Sequence, residues 1–133
     1  MGRHAKYRAI QRYNVDLKWS DEKNIISKLK SGKGYPLPIE NVELKEGEDP
    51  VEFAYVIHRD IPLKICYSTS KETGLPQKII TIYPFEADEY NEAVEIDLKN
   101  HINKAVNFLK ANGYIVYKRK KKWNRNMEYM LYL

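Results

Sequence analysis

The stretch PLKICYSTSKETGLPQKIITIYP, residues 62–84, decides the fold, because both of its ends alternate with period two. In the first run Leu63, Ile65 and Tyr67 stand against Lys64, Cys66 and Ser68; in the second, Ile80 and Ile82 stand opposite Ile79, Thr81 and Tyr83. Alternation of this kind predicts two half-buried strands. The segment between them contains Gly74 and Pro76 and is too long for a two-residue turn, so the hairpin's register stays open. Working upstream, 46-EGEDP-50 marks a turn, Val51, Phe53, Tyr55 and Ile57 share one face of another strand, and Val42 and Leu44 alternate with Glu43 and Lys45. The expectation is a four-stranded antiparallel meander.

Helical patterns flank it. Residues 3–13 contain no Gly or Pro and carry Ala5, Ala9 and Ile10 on one side. Ser20 is the expected N-cap of a second helix, with Asp21 and Glu22 in its first turn, Ile25, Ile26 and Leu29 as its buried stripe, and Gly32 past its end. The breaker-rich 32-GKGYPLP-38 then reads as a connector. From about Val94 the helical period returns through Leu98, Ile102, Ala105, Val106 and Leu109, stopping at Gly113. Residues 114–118 and 127–133 suggest a last hairpin. The order α-α-β-β-β-β-α-β-β predicts an α+β fold, with two N-terminal helices, the meander, then a helix and a C-terminal β-hairpin. At 133 residues the expectation is a single domain with its own core, comprising an α+β core at 4–90 and an extension at 94–133.

Composition narrows the function classes. Cys66 is the only cysteine, so neither an intrachain disulfide nor a Cys-rich zinc site is expected, and a reducing, cytoplasmic setting fits. No apolar run approaches the roughly 18 residues of a membrane span, and the first residues lack a signal-peptide pattern. His58 and His101 have no acidic or histidine partner at ligand spacing and read as structural or surface residues; no metal and no cofactor are expected. Gly32-Lys33-Gly34 lacks the Walker pattern.

The net charge of +5 is unevenly spread. Residues 1–34 hold nine Lys/Arg against three Asp/Glu, residues 35–97 five against fourteen, and residues 98–133 nine against one. Basic ends around an acidic middle either neutralise it internally or present a surface for phosphate. The run 118-KRKKKWNR-125 favours the second use, because Lys118, Arg119, Lys120, Lys121, Lys122 and Arg125 surround Trp123. Cations interleaved with an aromatic suit phosphate attraction combined with base stacking.

A second constellation lies near the start. His4, Arg8 and Arg12 are spaced by four, so on a helix they sweep about 80° and share one face. Metal-independent RNA cleavage needs a group that exchanges a proton near neutrality and cations that hold the charged phosphorane, which histidine and arginine supply. The same row also suits a solvated helix face. Thr81 and Tyr83 alternate in phase, so their hydroxyls would leave the same sheet face.

HAKYRAIQRYN in the first helix, the Lys/Gly residues closing the second, and the strands PLKICYSTS and KIITIYP together resemble the small domains of the RelE/BrnT-like toxin superfamily, within the broader barnase and EndoU-like group. The resemblance spans roughly residues 4–90. It implies a first helix packed on an antiparallel sheet and a catalytic group of His4, Arg8, Arg12, Thr81 and Tyr83, with the hairpin at 62–84 as the floor of a phosphate site. It therefore implies an RNA-directed protein, either a metal-independent endoribonuclease or a catalytically silent relative, with RNA preferred over DNA and with a protein partner such as an antitoxin. Two alternatives belong to other classes. One is a DNA-binding regulator whose last helix and hairpin act as in a winged helix; the other is a protein-binding inhibitor or adaptor of mobile-element type, using the acidic segment 40–52 or the basic tip.

Overall fold

The computed structural model describes residues 1–38, 47–120 and 127–132, with side chains as far as Tyr117. The chain is α+β, and it divides into two compact units, Met1–Val94 and Glu95–Leu133. The first unit opens with α1 (Arg3–Tyr13) and α2 (Trp19–Lys30). Asn14 closes α1 in the left-handed conformation, at φ 54°. Gly32, at φ 74°, closes α2: its own N–H reaches Leu29 O, and that of Lys33 reaches Lys28 O, the paired bonds of a Schellman cap. The start of α2 lies earlier than expected. Lys18, not Ser20, is the capping position, because the Asp21 carboxylate reaches back to accept from the Lys18 N–H at 2.8 Å.

Four strands follow in one antiparallel sheet of order β1-β2-β3-β4: β1 (Tyr35–Pro36), β2 (Val51–His58), β3 (Ile61–Thr69) and β4 (Pro76–Tyr83). The first strand thus falls in the expected connector at 32–38, while the strand expected around Val42 and Leu44 lies outside the described residues. β2 and β3 are joined by Arg59 and Asp60, both left-handed, at φ 50° and 63°, the two-residue turn that matches strand twist.

β4 departs from simple alternation. Ile79 pairs with Tyr67 and Thr81 with Cys66, so Ile80 is an extra, bulged residue. The bulge puts Ile79 and Ile82, three apart, on the same buried face, and leaves Ile80 39% exposed. The expected grouping of Ile80 with Ile82 is therefore corrected. Thr81 and Tyr83 do share a face, opposite Cys66 and Lys64.

One face of the sheet carries Ala54, Val56, Leu63, Ile65, Tyr67, Ile79 and Ile82 against Ala5, Ala9, Ile25 and Ile26 of the helices and Val15 and Leu17 between them. Alanines at 5 and 9 let α1 lie close against β4. Their small side chains remove the bulk that would hold the backbones apart, and Ile10 is left on the outside.

α3 (Ala87–Ala111) begins seven residues before Val94, so its first turns belong to the first unit. Its remainder, with β5 (Ile115–Lys120) and β6 (Met127–Tyr132), an antiparallel pair, makes the second. Gly113, at φ 87°, ends α3 as expected. The apolar stripe is less covered than its periodicity suggests: Leu98 is 58% exposed, Ala105 is exposed, and Ile102, Val106 and Leu109 are half-buried. Among the described residues no helix is long and apolar enough to cross a membrane.

Candidate nucleic-acid interface

β4 is an edge strand, and its outward backbone groups need partners. The Ile79 N–H donates to Glu22 Oε2 at 3.1 Å, and Glu22 Oε1 holds the Met1 ammonium at 3.0 Å, which fixes the start of α1 beside Ile79. At the other end Arg12 Nη1 donates to Ile82 O at 2.6 Å. α1 therefore runs along the β4 edge in the strand's own direction. The next residue, Tyr13, is wedged where β3 and β4 part: its hydroxyl donates to Tyr83 O at 2.6 Å and accepts from the Lys64 N–H at 3.2 Å. Burial raises the Tyr13 phenol above its ordinary value, against the opposing effects of the Lys64 N–H and the Arg12 charge.

These contacts bring the first helix to Tyr83. The Arg12 guanidinium stands 6.0 Å from the Tyr83 ring centroid and the Lys64 ammonium 5.6 Å from it. Phe53, two strands away on the same face, lies 5.7 Å from Tyr83 between ring centroids. Tyr83, 37% exposed, and Phe53 form the aromatic part of a half-open cleft of about 250 Å³, completed by Leu37, Pro38, Lys64 and Glu89.

The polar end of the cleft is fixed by α3. Glu89 Oε1 takes the Lys64 ammonium at 2.7 Å and the Tyr55 hydroxyl at 2.8 Å. Tyr55 in turn accepts from the Glu86 N–H at 3.2 Å and is boxed in by Phe85 and Tyr90. Burial works against the Glu89 carboxylate, but the Lys64 and Tyr55 hydrogen bonds and the ammonium charge outweigh it together, so its pKa lies below the ordinary value. The Tyr55 phenol is driven upward, first by burial and then, despite the Glu86 N–H, by Glu89. Glu89 is thus held as the carboxylate beside the neutral Tyr55 phenol.

Of the five residues expected to form a catalytic group, the structure brings two into contact, Arg12 and Tyr83. Thr81 is half-buried opposite Cys66, on the sheet face that Tyr83 shares. Arg8 bonds Gln11 on its own helix at 2.8 Å. His4 is exposed, about 12 Å along the helix from Arg12. The basic run is split: Lys118, Arg119 and Lys120 lie on β5, whereas Lys121, Lys122, Trp123 and Arg125 lie outside the described residues.

Of the residues lining the cleft, Tyr83 alone was expected as a site residue; Leu37, Pro38, Phe53, Lys64 and Glu89 escaped the reading of the sequence, as did Tyr13, which bonds Tyr83 and Lys64. Strand register would have flagged Lys64, the direct neighbour of Tyr83, but the contribution of Glu89 depends on how α3 returns over the sheet. His58 has a partner that spacing could not show. It is buried against Asp21 at 3.1 Å, an acid 37 residues away on α2, which also binds Arg59 at 2.8 Å. Cys66 is buried and its thiol pKa raised for that reason, the opposite of an activated nucleophile. His101, expected to lack an acidic partner, has one in Asp97 one turn back on α3: its Nδ1 bonds the Asp97 carbonyl at 2.8 Å and lies 3.4 Å from the carboxylate. Among the described residues no three His, Cys, Asp or Glu side chains gather as a cation site. In the comparisons with known proteins, no family model matches the chain, and no curated protein or solved structure matches it.

Proposed function

We propose that this protein binds single-stranded RNA, with the phosphates following the outer face of α1 and a base entering the cleft beside Tyr83. The observation that carries the reading is the placement of Arg12. It belongs to a helix bearing Arg3, His4, Lys6, Arg8 and Arg12 and no acidic residue, and it touches the aromatic wall of the cleft. Arg8 and Arg12, one turn apart on the face that leads to the exposed Tyr83 ring, fit the arrangement that single strands use, with charge for the backbone and a π-face for the base. Lys64 contributes less to phosphate attraction, since Glu89 neutralises it. The RelE/BrnT-like resemblance supports RNA as the nucleic acid.

Among the described residues no histidine lines the cleft. Cleavage would draw on His4 at the helix start or on Glu89 as a base. The test is binding of a labelled, unstructured RNA in the presence of chelator, followed by a denaturing gel. Tyr83→Ala is expected to weaken binding about tenfold through lost stacking. Arg8→Ala is expected to flatten the dependence of log affinity on log salt by about 0.7, one phosphate contact on a single strand. Discrete chelator-resistant cleavage that disappears in His4→Ala would extend the reading to an endoribonuclease. Unchanged affinity in both Tyr83→Ala and Arg8→Ala would remove the site.

A further inference from the structure

We infer that α3 pairs with α3 of a second copy of this chain, antiparallel, through the face that carries Leu98, Ala105 and Phe108. The inference is independent of the RNA reading. On a helix these three positions fall within about 80° of arc, so they form one row. Leu98 is 58% exposed, Phe108 67%, and Ala105 is exposed between them, while Ile102, Val106 and Leu109 beside the row are half-buried. No residue from 95 to 111 is buried, although the helix is amphipathic throughout this stretch. Contiguous apolar side chains left in water on a helix face mark a surface of association.

The order of charge along α3 says what covers this row. Asp88, Glu89, Glu92, Glu95 and Asp97 all precede Lys99, Lys104 and Lys110. Two copies lying in the same sense would set acid against acid and cation against cation, with their dipoles side by side. Reversing one copy sets each acidic half against a basic half and opposes the dipoles. The packing agrees with this order. In an antiparallel pair the Leu98 of one copy meets the partner's Ala105, large against small, and the two-fold axis repeats the contact. Asp97 and Lys104 lie together on one flank of the row, and the same axis brings equal flanks face to face. Lys104 therefore lands beside the partner's Asp97 in the register that seats Leu98 on Ala105. Lys104 is exposed and makes no ion pair with other described residues. Asp97 is met on its own helix by His101, 3.4 Å away, which is charged only when protonated. Nucleic acid is a poor occupant for this face, since Glu95 and Asp97 border it. The row from Asp97 to Phe108 is about 17 Å long, so the interface is small and the dimer is expected to form at roughly tens of micromolar.

Sedimentation equilibrium of the full chain at moderate salt, from about 5 to 500 μM, reads the association directly. The weight-average mass is expected to climb from one chain toward two. Asp97→Lys and Lys104→Asp are each expected to hold the protein at one chain across that range, because like charges then face each other on both sides of the axis. Mixed in equal amounts, the two variants are expected to pair, since every lysine on this flank again meets an aspartate. Leu98→Asp, at an exposed position that the core does not use, is expected to abolish association as well. A one-chain mass at every concentration would overturn the inference, and so would dimers that persist in both charge variants or in Leu98→Asp. Failure of the mixed charge variants to pair would overturn the antiparallel arrangement.

Discussion

Asp21 shows how one side chain ties the scaffold together. Its carboxylate accepts from the Lys18 N–H, from buried His58 and from Arg59, joining the start of α2 to the β2–β3 turn. The Lys18 hydrogen bond, foremost, with the Arg59 and His58 charges, lowers its pKa below the ordinary 3.8 despite burial. A folded pKa below the unfolded one means the stabilisation is complete above about pH 4 and is lost as pH falls through the folded value. Asp21→Ala should therefore cost about 1–3 kcal/mol at pH 7 in urea unfolding, and the gap to the unaltered protein should shrink progressively as pH falls below the ordinary 3.8. A gap independent of pH would contradict this assignment. Tyr13 is the corresponding residue at the cleft. Tyr13→Phe removes a hydroxyl bonded to both Lys64 and Tyr83, and is expected to lower stability by about 1 kcal/mol and to loosen RNA binding by displacing Tyr83.

At the scale of elements, the bulge in β4 sets which residues the sheet buries. Ile79 is fully packed while its neighbour Ile80 faces outward. Ile79→Ala should cost about 2–5 kcal/mol and Ile80→Ala about 0.5 kcal/mol or less, measured by chemical unfolding. The opposite ranking would restore strict alternation. The helices, strands β2 to β4 and the Gly32 and Gly113 stops were legible because each rests on local pattern: periodicity, a cap, a residue tolerant of positive φ. The bulge was not, since one inserted residue changes phase without changing composition. The early start of α3 was hidden for a related reason. Ala87 to Ala93 is acidic and polar on most sides, and the residues that make it part of the site, Glu89 and Tyr90, gain meaning only against Tyr55 and Lys64 across the sheet.

At the scale of the whole molecule, the basic start of the sequence is carried by α1. α1 carries cations and no acid, and Arg12 links that helix to the edge of β4 and to Tyr83. Arg12 and Tyr83 could be named from sequence because spacing and strand phase marked them. Lys64 needed the strand register that sets it beside Tyr83, and Glu89 could not be named at all, its pairing with Lys64 being made by the fold. The central claim is that this basic helix and aromatic cleft bind single-stranded RNA. The measurement that tests it most directly is a salt titration of the protein, with chelator present, against an unstructured RNA and a duplex DNA of equal length, comparing the unaltered chain with Tyr83→Ala. The account predicts tighter binding to the RNA, weakening steeply with salt, and about a tenfold loss in Tyr83→Ala at each salt concentration. Equal binding to both nucleic acids with no loss in the variant, or no binding at low salt, would contradict it.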